Sequence, residues 1–214
     1  MEIQITPRQK ELLSVIYNFI QSDGFPPTFE QMREKLGVVS NQSIVDLLEK
    51  LKERKLIKKG TGARDLVILP LGYKALGKPL LAAFLGATSA GAPIEAIGIS
   101  GEWQTLSSVS EKIERLNEEI FILKIYGDSM INAGIDDGDL VLVQTKKEFY
   151  TGEVVLATIG EDSTVKRFIS QDKPPYVFLK PENPKYPHIS FTDETKLAGK
   201  VISVLKNGYW QPVK

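Results

Sequence analysis

A serine and a lysine in the second half of the chain are the residues best suited to chemistry. Ser129 stands just after Gly127 at the end of an apolar run, and Lys166 lies inside a later apolar run. A serine is a poor nucleophile until a base removes its proton. A lysine is a base only when neutral, and burial disfavours its charged form. The pair is therefore a candidate nucleophile and general base, although spacing alone favours a turn serine and an edge-strand lysine.

The composition excludes several other chemistries. The 214 residues include no cysteine, which excludes disulfides, thiolate zinc sites and cysteine nucleophiles. The single histidine, His188, stands in a proline-rich loop, so we do not expect a Ser–His–Asp triad. We expect neither a metal nor a cofactor, and we interpret Asp137 and Asp139 as turn residues.

Charge and hydropathy limit the classes of partner. The 27 basic and 27 acidic residues balance, so any surface that binds nucleic acid must be local. The amino terminus has no basic region followed by an apolar run, and no apolar stretch reaches the ~18 residues that a membrane span needs. We therefore expect no signal peptide and no membrane partner.

Short apolar runs separated by turns fill the chain from about residue 121 onward. Many short strands at near-regular spacing predict a mostly-β domain. Ser129 would follow one of these strands, and Lys166 would lie inside another. The runs are 121–125, 140–143, 153–159, 163–168, 176–179 and 197–205.

The first seventy residues predict three helices and a β-hairpin. Thr6 and Thr28 each have a glutamine three residues later, as in a capping box, and Ser40 can cap a third helix. Gly37 stops the second helix where a left-handed residue is needed. Two short apolar runs then flank a Gly-Thr-Gly turn at 60–62. This order is typical of a winged helix-turn-helix DNA-binding domain.

The start of the third helix and a local basic cluster are the candidate DNA contacts. The basic side chains of 50–64 suit phosphate contacts, although a charge run alone favours a solvated helix face. Asn and Gln pair with adenine and Ser reaches several base edges, whereas no Arg or Lys is placed there to read guanine. Capping is at least an equal role for Ser40. The candidate DNA-binding residues are Thr28, Ser40, Asn41, Gln42, Ser43, Val45, Asp46, Lys52 and Arg64.

A stretch rich in glycine and proline separates the two halves. Residues 70–79 contain two Gly and two Pro without clear periodicity, and the small-residue segment 80–93 is suited to lie extended in a groove. We predict a DNA-binding domain over 1–70, a linker over 71–86 and a β-rich domain over 87–214.

The order of these motifs closely resembles that of the LexA repressor family, which controls the bacterial DNA-damage (SOS) response. Each motif alone is weak, whereas the set in this order over nearly the whole chain is highly specific. The resemblance implies an amino-terminal winged helix-turn-helix and a carboxy-terminal, mostly-β domain like that of LexA and signal peptidases. The motifs are Thr6–Gln9, Pro26–Thr28, Ala90-Gly91, Gly127–Met130, Asp137–Asp139 and Thr164–Arg167.

The resemblance also implies roles for single residues. Ser129 matches the nucleophile and Lys166 the base of a Ser–Lys dyad. The bond between Ala90 and Gly91 matches the one that the family cuts in its own chain. Backbone N–H groups near the nucleophile, here those of Asp128 and Ser129, would stabilise the oxyanion.

The partners implied by the resemblance follow from this chemistry. Family members bind palindromic double-stranded operator DNA as homodimers that form through the carboxy-terminal domain. A RecA filament on single-stranded DNA stimulates their self-cleavage, which separates the DNA-binding half from the dimerising half. The resemblance places the protein in the bacterial cytoplasm, on the nucleoid when bound to DNA.

Alternative interpretations share part of this pattern. A phage or stress repressor of the same architecture would differ only in its operator and target genes. A dimerising repressor with an inert carboxy-terminal domain would never cut itself. A processing peptidase would act on other proteins, but the predicted DNA-binding half argues against it. Thr88 and Ser89 stand where the family commonly has more apolar residues, which bears on the rate of cleavage and not on its position.

Overall fold

The structure is a computed structural model, and it describes most of the chain. The described residues are 5–62, 65–88, 102–106 and 109–214, without the side chains of 87 and 88. Contacts within the chain divide it into two units. The first unit comprises 1–83 and 98–119, and the second comprises 84–97 and 120–214.

Three helices and a hairpin open the first unit. They are α1 (Pro7–Asp23), α2 (Phe29–Leu36), α3 (Asn41–Glu53), β1 (Ile57–Lys59) and β2 (Leu66–Ile68). Thr6 with Gln9 and Thr28 with Gln31 form the two predicted capping boxes, which satisfy backbone N–H groups at the starts of α1 and α2. Strands β1 and β2 pair antiparallel. The predicted winged helix-turn-helix is confirmed.

The segment expected to be an irregular linker has regular structure. Helix α4 spans Pro70–Leu76, and strand β3 spans Leu80–Thr88. Pro70 occupies the first turn of α4, and Gly77 ends it in the left-handed conformation. The segment predicted as a linker over 71–86 thus contains most of a helix and of an extended strand, with Pro70, Gly77 and Pro79 at their boundaries and Gly72 inside α4.

Two short elements complete the first unit. They are β4 (Trp103–Leu106) and α5 (Glu111–Glu114). The beginning of β3, from Leu80 to Ala83, pairs antiparallel with β4. The indole N–H of Trp103 donates to the carbonyl oxygen of Gly24 at 3.0 Å, and so ties β4 to the end of α1.

A sheet of antiparallel strands that differ widely in length forms the second unit. Its strands are β5 (Ile120–Ile125), β6 (Leu140–Thr145), β7 (Val154–Ile159), β8 (Asp162–Ser170), β9 (Val177–Lys180), β10 (Ile189–Ser190), β11 (Thr195–Lys206) and β12 (Tyr209–Pro212). The strand order is β10-β9-β8-β7-β11-β6-β5-β3, and β12 pairs with β11. A 3-10 helix, Ile131–Ala133, follows β5. The predicted mostly-β domain is confirmed.

The long strand β11 pairs with β6 on one edge and with β7 on the other, and each pairing has one register shift of the kind a β-bulge produces. Gly199 lies at one of these bulges. A Cβ atom at this position would lie 2.7 Å from the carbonyl oxygen of Gln144 and 2.6 Å from Val143, so the close approach requires glycine.

Two apolar clusters fix the sheet that carries the candidate serine and lysine. The larger includes Met130 and Ile135, which follow Ser129, together with Leu156 of β7. The smaller includes Val155 and Leu179, with Phe168 of β8 packed against it. The backbone on each side of the candidate site is therefore anchored in a buried core.

Candidate active site and DNA interface

Ser129 and Lys166 meet in the second unit. The Nζ atom of Lys166 lies 2.8 Å from the Oγ atom of Ser129, which is hydrogen-bond distance. Two other oxygens surround the amine: Oγ1 of Thr164 at 2.7 Å and the carbonyl oxygen of Val165 at 2.9 Å. A nucleophile and its base require direct contact of this kind.

Strand register places the lysine in apolar surroundings. Lys166 pairs opposite Val155 of β7, which is fully buried. Side chains alternate along a strand, so Thr164, Lys166 and Phe168 share one face of β8. Only 7% of Lys166 remains exposed. Lysine side chains are almost never fully buried, so the burial of Lys166 within the sheet is unusual.

Burial changes the protonation of this lysine. It lowers the pKa of the Lys166 ammonium from 10.5 to about 8, and no charged neighbour among the described residues opposes the shift. A group with a pKa of ~8 is about one-tenth neutral at pH 7, against roughly one part in 3,000 at a pKa of ~10.5. The site therefore supplies a substantial fraction of the base form near neutral pH.

The three contacts of Nζ match the valence of a neutral amine. Such an amine has two N–H donors and one lone pair. In the neutral amine the two N–H groups can donate to Thr164 and to the carbonyl of Val165, which leaves the lone pair for the hydroxyl of Ser129, 2.8 Å away. This arrangement would allow the proton of Ser129 to pass to Lys166.

The turn that carries Ser129 is closed by Gly127 and Asp137. Gly127 has a φ of 86°, a left-handed conformation that glycine adopts without strain. Its N–H donates to Oδ1 of Asp137 at 2.7 Å. Gly138 then donates its N–H to the carbonyl of Ile125 at 2.9 Å. The aspartate turn that the sequence indicated therefore braces the nucleophile turn.

A loop after β9 holds Asp128, the residue before Ser129. Asn183 donates from Nδ2 to the carbonyl oxygen and to Oδ2 of Asp128, at 3.0 and 3.1 Å. The hydroxyl of Tyr186 donates to Oδ1 of Asp128. This hydrogen bond is the main reason that the pKa of the Asp128 carboxyl is lowered and the pKa of Tyr186 is raised.

The same geometry distinguishes the two N–H groups that the sequence suggested for an oxyanion. The backbone N–H of Asp128 interacts with the carboxylate of its own residue. The N–H of Ser129 donates to no backbone or side-chain acceptor within the described ranges. Ser129 therefore offers the more available donor.

Arg167, the neighbour of the lysine, anchors the loop that holds Asp128. Its Nε donates to Oε1 of Glu182 at 2.5 Å, and a second guanidinium nitrogen donates to the carbonyl of Gly152 at 2.6 Å. Although burial alone would raise it, the pKa of the Glu182 carboxyl is lowered by the Arg167 contact. The ion pair thus links β8 to the residue next to Asn183.

The predicted base-reading residues lie at the start of α3 in the first unit. Those fully exposed are Asn41, Gln42, Ser43 and Asp46, and Val45 is partly buried. Oγ of Ser40 accepts from the N–H of Gln42 at 3.1 Å, so Ser40 caps the helix. Nε2 of Gln42 donates to Oδ1 of Asp46 at 2.7 Å, a bond that a base contact by Gln42 would have to replace.

The other candidate DNA contacts, which lie outside the start of α3, differ in how their side chains are already bonded. Thr28 caps α2, since its Oγ1 accepts from the N–H of Gln31 at 3.3 Å. Lys52 forms only an exposed pair with Glu49 at 3.4 Å, which costs little to break in favour of a phosphate. Lys58 of the basic cluster pairs with Glu119 at 2.7 Å. The cluster is therefore partly neutralised.

Some predicted sites are not described, and some alternatives are not favoured. Arg64, Ala90 and Gly91 lie outside the described residues. The ring of His188 stacks on Phe178, with centroids 4.7 Å apart. Within the described ranges no three His, Cys, Asp or Glu side chains are grouped so as to hold a metal. No described helix has the length and apolarity to cross a membrane.

Comparison with known proteins decides the family. Residues 83–202 match the family model Peptidase S24-like, and residues 2–64 match the LexA DNA binding domain. The chain belongs to the LexA repressor family. It is accordingly a transcriptional repressor with a LexA-type DNA-binding domain and an S24-type peptidase domain.

Individual relatives resemble the chain over nearly its whole length. LexA repressor 1 of Nocardia farcinica is 37% identical, covering 93% of this chain and 92% of its own. The LexA repressor of Lactobacillus acidophilus is 36% identical, covering 94% and 95%. That of Parafrankia sp. is 32% identical, covering 94% and 88%.

Sequence reasoning missed four residues of these two sites. Thr164 had a signal, because it lies two residues before Lys166 and so shares its strand face. Asn183 and Tyr186 had none beyond a polar position between prolines, since their contacts with Asp128 cross more than fifty residues. Val39, beside Ser40 in the turn before α3, is 92% exposed, and nothing in the sequence indicated that exposure.

Proposed function

We propose that this repressor inactivates itself by cutting its own chain between Ala90 and Gly91. Ser129 is the nucleophile and Lys166 is the general base. The observation that carries this assignment is the 2.8 Å contact between Nζ and Oγ, made by a lysine whose burial favours the neutral amine. Membership of the S24 peptidase family supports it.

The chemistry is acyl transfer in two halves. Neutral Lys166 takes the proton of Ser129, and Oγ attacks the carbonyl carbon of Ala90. The resulting oxyanion is stabilised by the N–H of Ser129. The intermediate collapses when the Lys166 ammonium gives its proton to the nitrogen of Gly91, which leaves as an amine. Water, deprotonated by Lys166, then hydrolyses the ester and restores Ser129.

Tethering makes this reaction both efficient and controllable. Because the scissile bond is part of the same chain, attack is intramolecular and gains from proximity. The rate scales with the fraction of molecules in which the bond is docked at the dyad. We propose that a RecA filament on single-stranded DNA, formed after DNA damage, raises that fraction.

Cleavage would end repression through loss of two-fold binding. We propose that the protein forms a homodimer through its carboxy-terminal domain and binds a palindromic operator with two copies of α3. A cut between Ala90 and Gly91 breaks the covalent connection between α3 and that domain. The genes so controlled would be those of the DNA-damage response in the bacterial cytoplasm.

Two single substitutions test the dyad. Ser129→Ala removes the nucleophile and Lys166→Ala removes the base, so each is expected to lower self-cleavage at least 1,000-fold, as removal of catalytic residues does in other serine peptidases. Operator binding should stay within a factor of two, because both residues lie in the second unit. Gel electrophoresis over time and a DNA-binding titration measure the two quantities.

A matched control is Lys196→Ala, an exposed lysine on β11. It should cut at the rate of the unaltered protein. Self-cleavage that persists in either dyad variant would overturn the assignment of Ser129 and Lys166.

A further inference from the structure

Asn183 holds the peptide unit that precedes the nucleophile. It is 5% exposed, and both the NH2 group and the oxygen of its side-chain amide form hydrogen bonds. Nδ2 donates to the carbonyl oxygen and the carboxylate of Asp128, while Oδ1 accepts from the backbone N–H of Lys185 at 3.1 Å. Since Oδ1 faces a donor, the amide cannot turn over without losing that bond. The donor side is therefore fixed towards Asp128.

This contact helps to set the direction of the N–H of Ser129, together with the backbone N–H of Ile131, which donates to the same carbonyl oxygen at the longer distance of 3.3 Å. The carbonyl of Asp128 and the N–H of Ser129 belong to one planar peptide unit and point in opposite directions. A donor that holds the carbonyl therefore holds the N–H on the other side. The contact from Tyr186 reaches only the carboxylate, which turns about its own side-chain bonds and does not fix the peptide plane.

We propose that Asn183 is a positioning residue of the reaction, which aims the N–H of Ser129 at the oxyanion that forms during attack. It touches neither the reacting atoms nor Lys166, and it acts only through the peptide unit of Asp128. The inference rests on the proposed function, since an oxyanion forms only when Ser129 attacks a carbonyl.

The size of the effect follows from what the N–H supplies. Complete removal of a preorganised donor aimed at an oxyanion lowers a rate about 100- to 1,000-fold. A donor that is present but no longer held keeps part of this contribution. Loss of Asn183 is therefore expected to lower the rate about 10- to 100-fold.

The test is the pH profile of self-cleavage in the full-length chain. Asn183→Ala removes both donors, and Asn183→Asp keeps the shape and the acceptor but loses the N–H groups. In both, the plateau rate at high pH should fall about 10- to 100-fold. In the uncharged variant Asn183→Ala the midpoint of the profile should stay that of the unaltered protein, because no charge near Lys166 has changed. Thermal melting of each variant checks that it folds.

Two controls separate positioning from general damage. Tyr186→Phe removes only the contact with the carboxylate and should keep the plateau within threefold. Thr195→Val removes a buried hydroxyl that accepts a hydrogen bond from the N–H of Thr192. Thr195 pairs with Ile159 of β7, whereas Lys166 pairs with Val155, so this control lies away from the dyad. It should lower the melting temperature while its plateau rate stays that of the unaltered protein.

The outcomes distinguish this inference from the function beneath it. An unchanged plateau in both Asn183 variants, or an equal loss in Thr195→Val, overturns the positioning role and leaves the dyad standing. A shifted midpoint in Asn183→Ala also overturns it, because the effect would then lie on Lys166. If the unaltered chain never cuts itself at any pH, the proposed function and this inference fail together.

Discussion

At the residue scale, the site depends on a buried lysine that has no counter-ion among the residues the structure describes. Only 7% of Lys166 is exposed, and its polar contacts are two hydroxyls and one carbonyl. Burial removes the water that would solvate the charged ammonium, and these three neutral groups do not fully replace it. The pKa of Lys166 is therefore lowered, which favours the neutral form. A single physical effect, desolvation, thereby raises the neutral fraction of a lysine that would otherwise be almost entirely charged near neutral pH.

The pH dependence of self-cleavage follows from that shift. The reactive form is the neutral amine, and burial lowers the pKa of Lys166 to about 8. The rate should rise about tenfold per pH unit below pH ~8 and level off above it. A profile that keeps rising to pH ~10.5 would show a lysine of ordinary pKa and contradict the proposed environment. Quantitative gel densitometry from pH 6 to 11 measures the profile.

At this scale, the sequence could predict contacts between residues close together in the chain, but not contacts between distant ones. The serine and lysine were found because they stand in recognisable motifs, and Thr164 follows from strand alternation. Asn183 could not be found, since a polar residue between two prolines has many uses and its partner lies 55 residues away. Pairing of that kind is a property of the fold.

At the scale of elements, helix α3 carries the proposed DNA specificity. Gln42 and Asp46 lie one turn apart on its exposed face and are bonded to each other. Lys52 lies at its far end, in an exposed pair with Glu49. The two ends of the helix should therefore contribute to binding in different ways.

Substitutions at the two ends should be distinguishable. Gln42→Ala is expected to weaken operator binding by about 1–3 kcal/mol and to relax base preference at one position. Lys52→Ala should weaken binding to all sequences alike and reduce the salt dependence by about one counter-ion. Titrations on an operator selected from random DNA, at several salt concentrations, measure both. The same loss pattern in the two variants would argue against α3 as the reading helix.

Elements were predictable where local signals were complete. The capping boxes at Thr6 and Thr28 gave the starts of α1 and α2, and the alternating runs gave the longer strands of the sheet. Helix α4 was missed because Gly72 inside it is a poor helix former. Gly72 is used there because a Cβ atom would lie 2.3 Å from the carbonyl oxygen of Leu56. Tertiary packing overrode local propensity.

At the scale of the whole molecule, the proposed cut does not by itself free the DNA-binding helices. Residues 98–119 would lie on the carboxy-terminal fragment, yet they belong to the first unit. β4 pairs with the start of β3, Trp103 bonds Gly24, and Glu119 pairs with Lys58. These contacts cross from one fragment to the other and must open before the fragments part.

This gives a prediction for the cut protein. On native gel filtration at micromolar concentration, the two fragments should elute together, and low concentrations of urea should separate them before the β-rich fragment unfolds. Trp103→Ala, which removes the bond to Gly24, should shift that separation to less urea. Fragments that part at once in the unaltered protein would show that these contacts add nothing after cleavage.

The most direct test of the central claim is mass spectrometry of the purified full-length chain after incubation at pH ~10. At that pH nearly all of a lysine with a pKa of about 8 is neutral, and about a quarter of one with a pKa of ~10.5. The account predicts two fragments, 1–90 and 91–214, and an intact chain for Lys166→Ala. A chain that stays whole, even with an activated RecA filament added, would contradict it and leave a repressor whose S24-type domain does not cut.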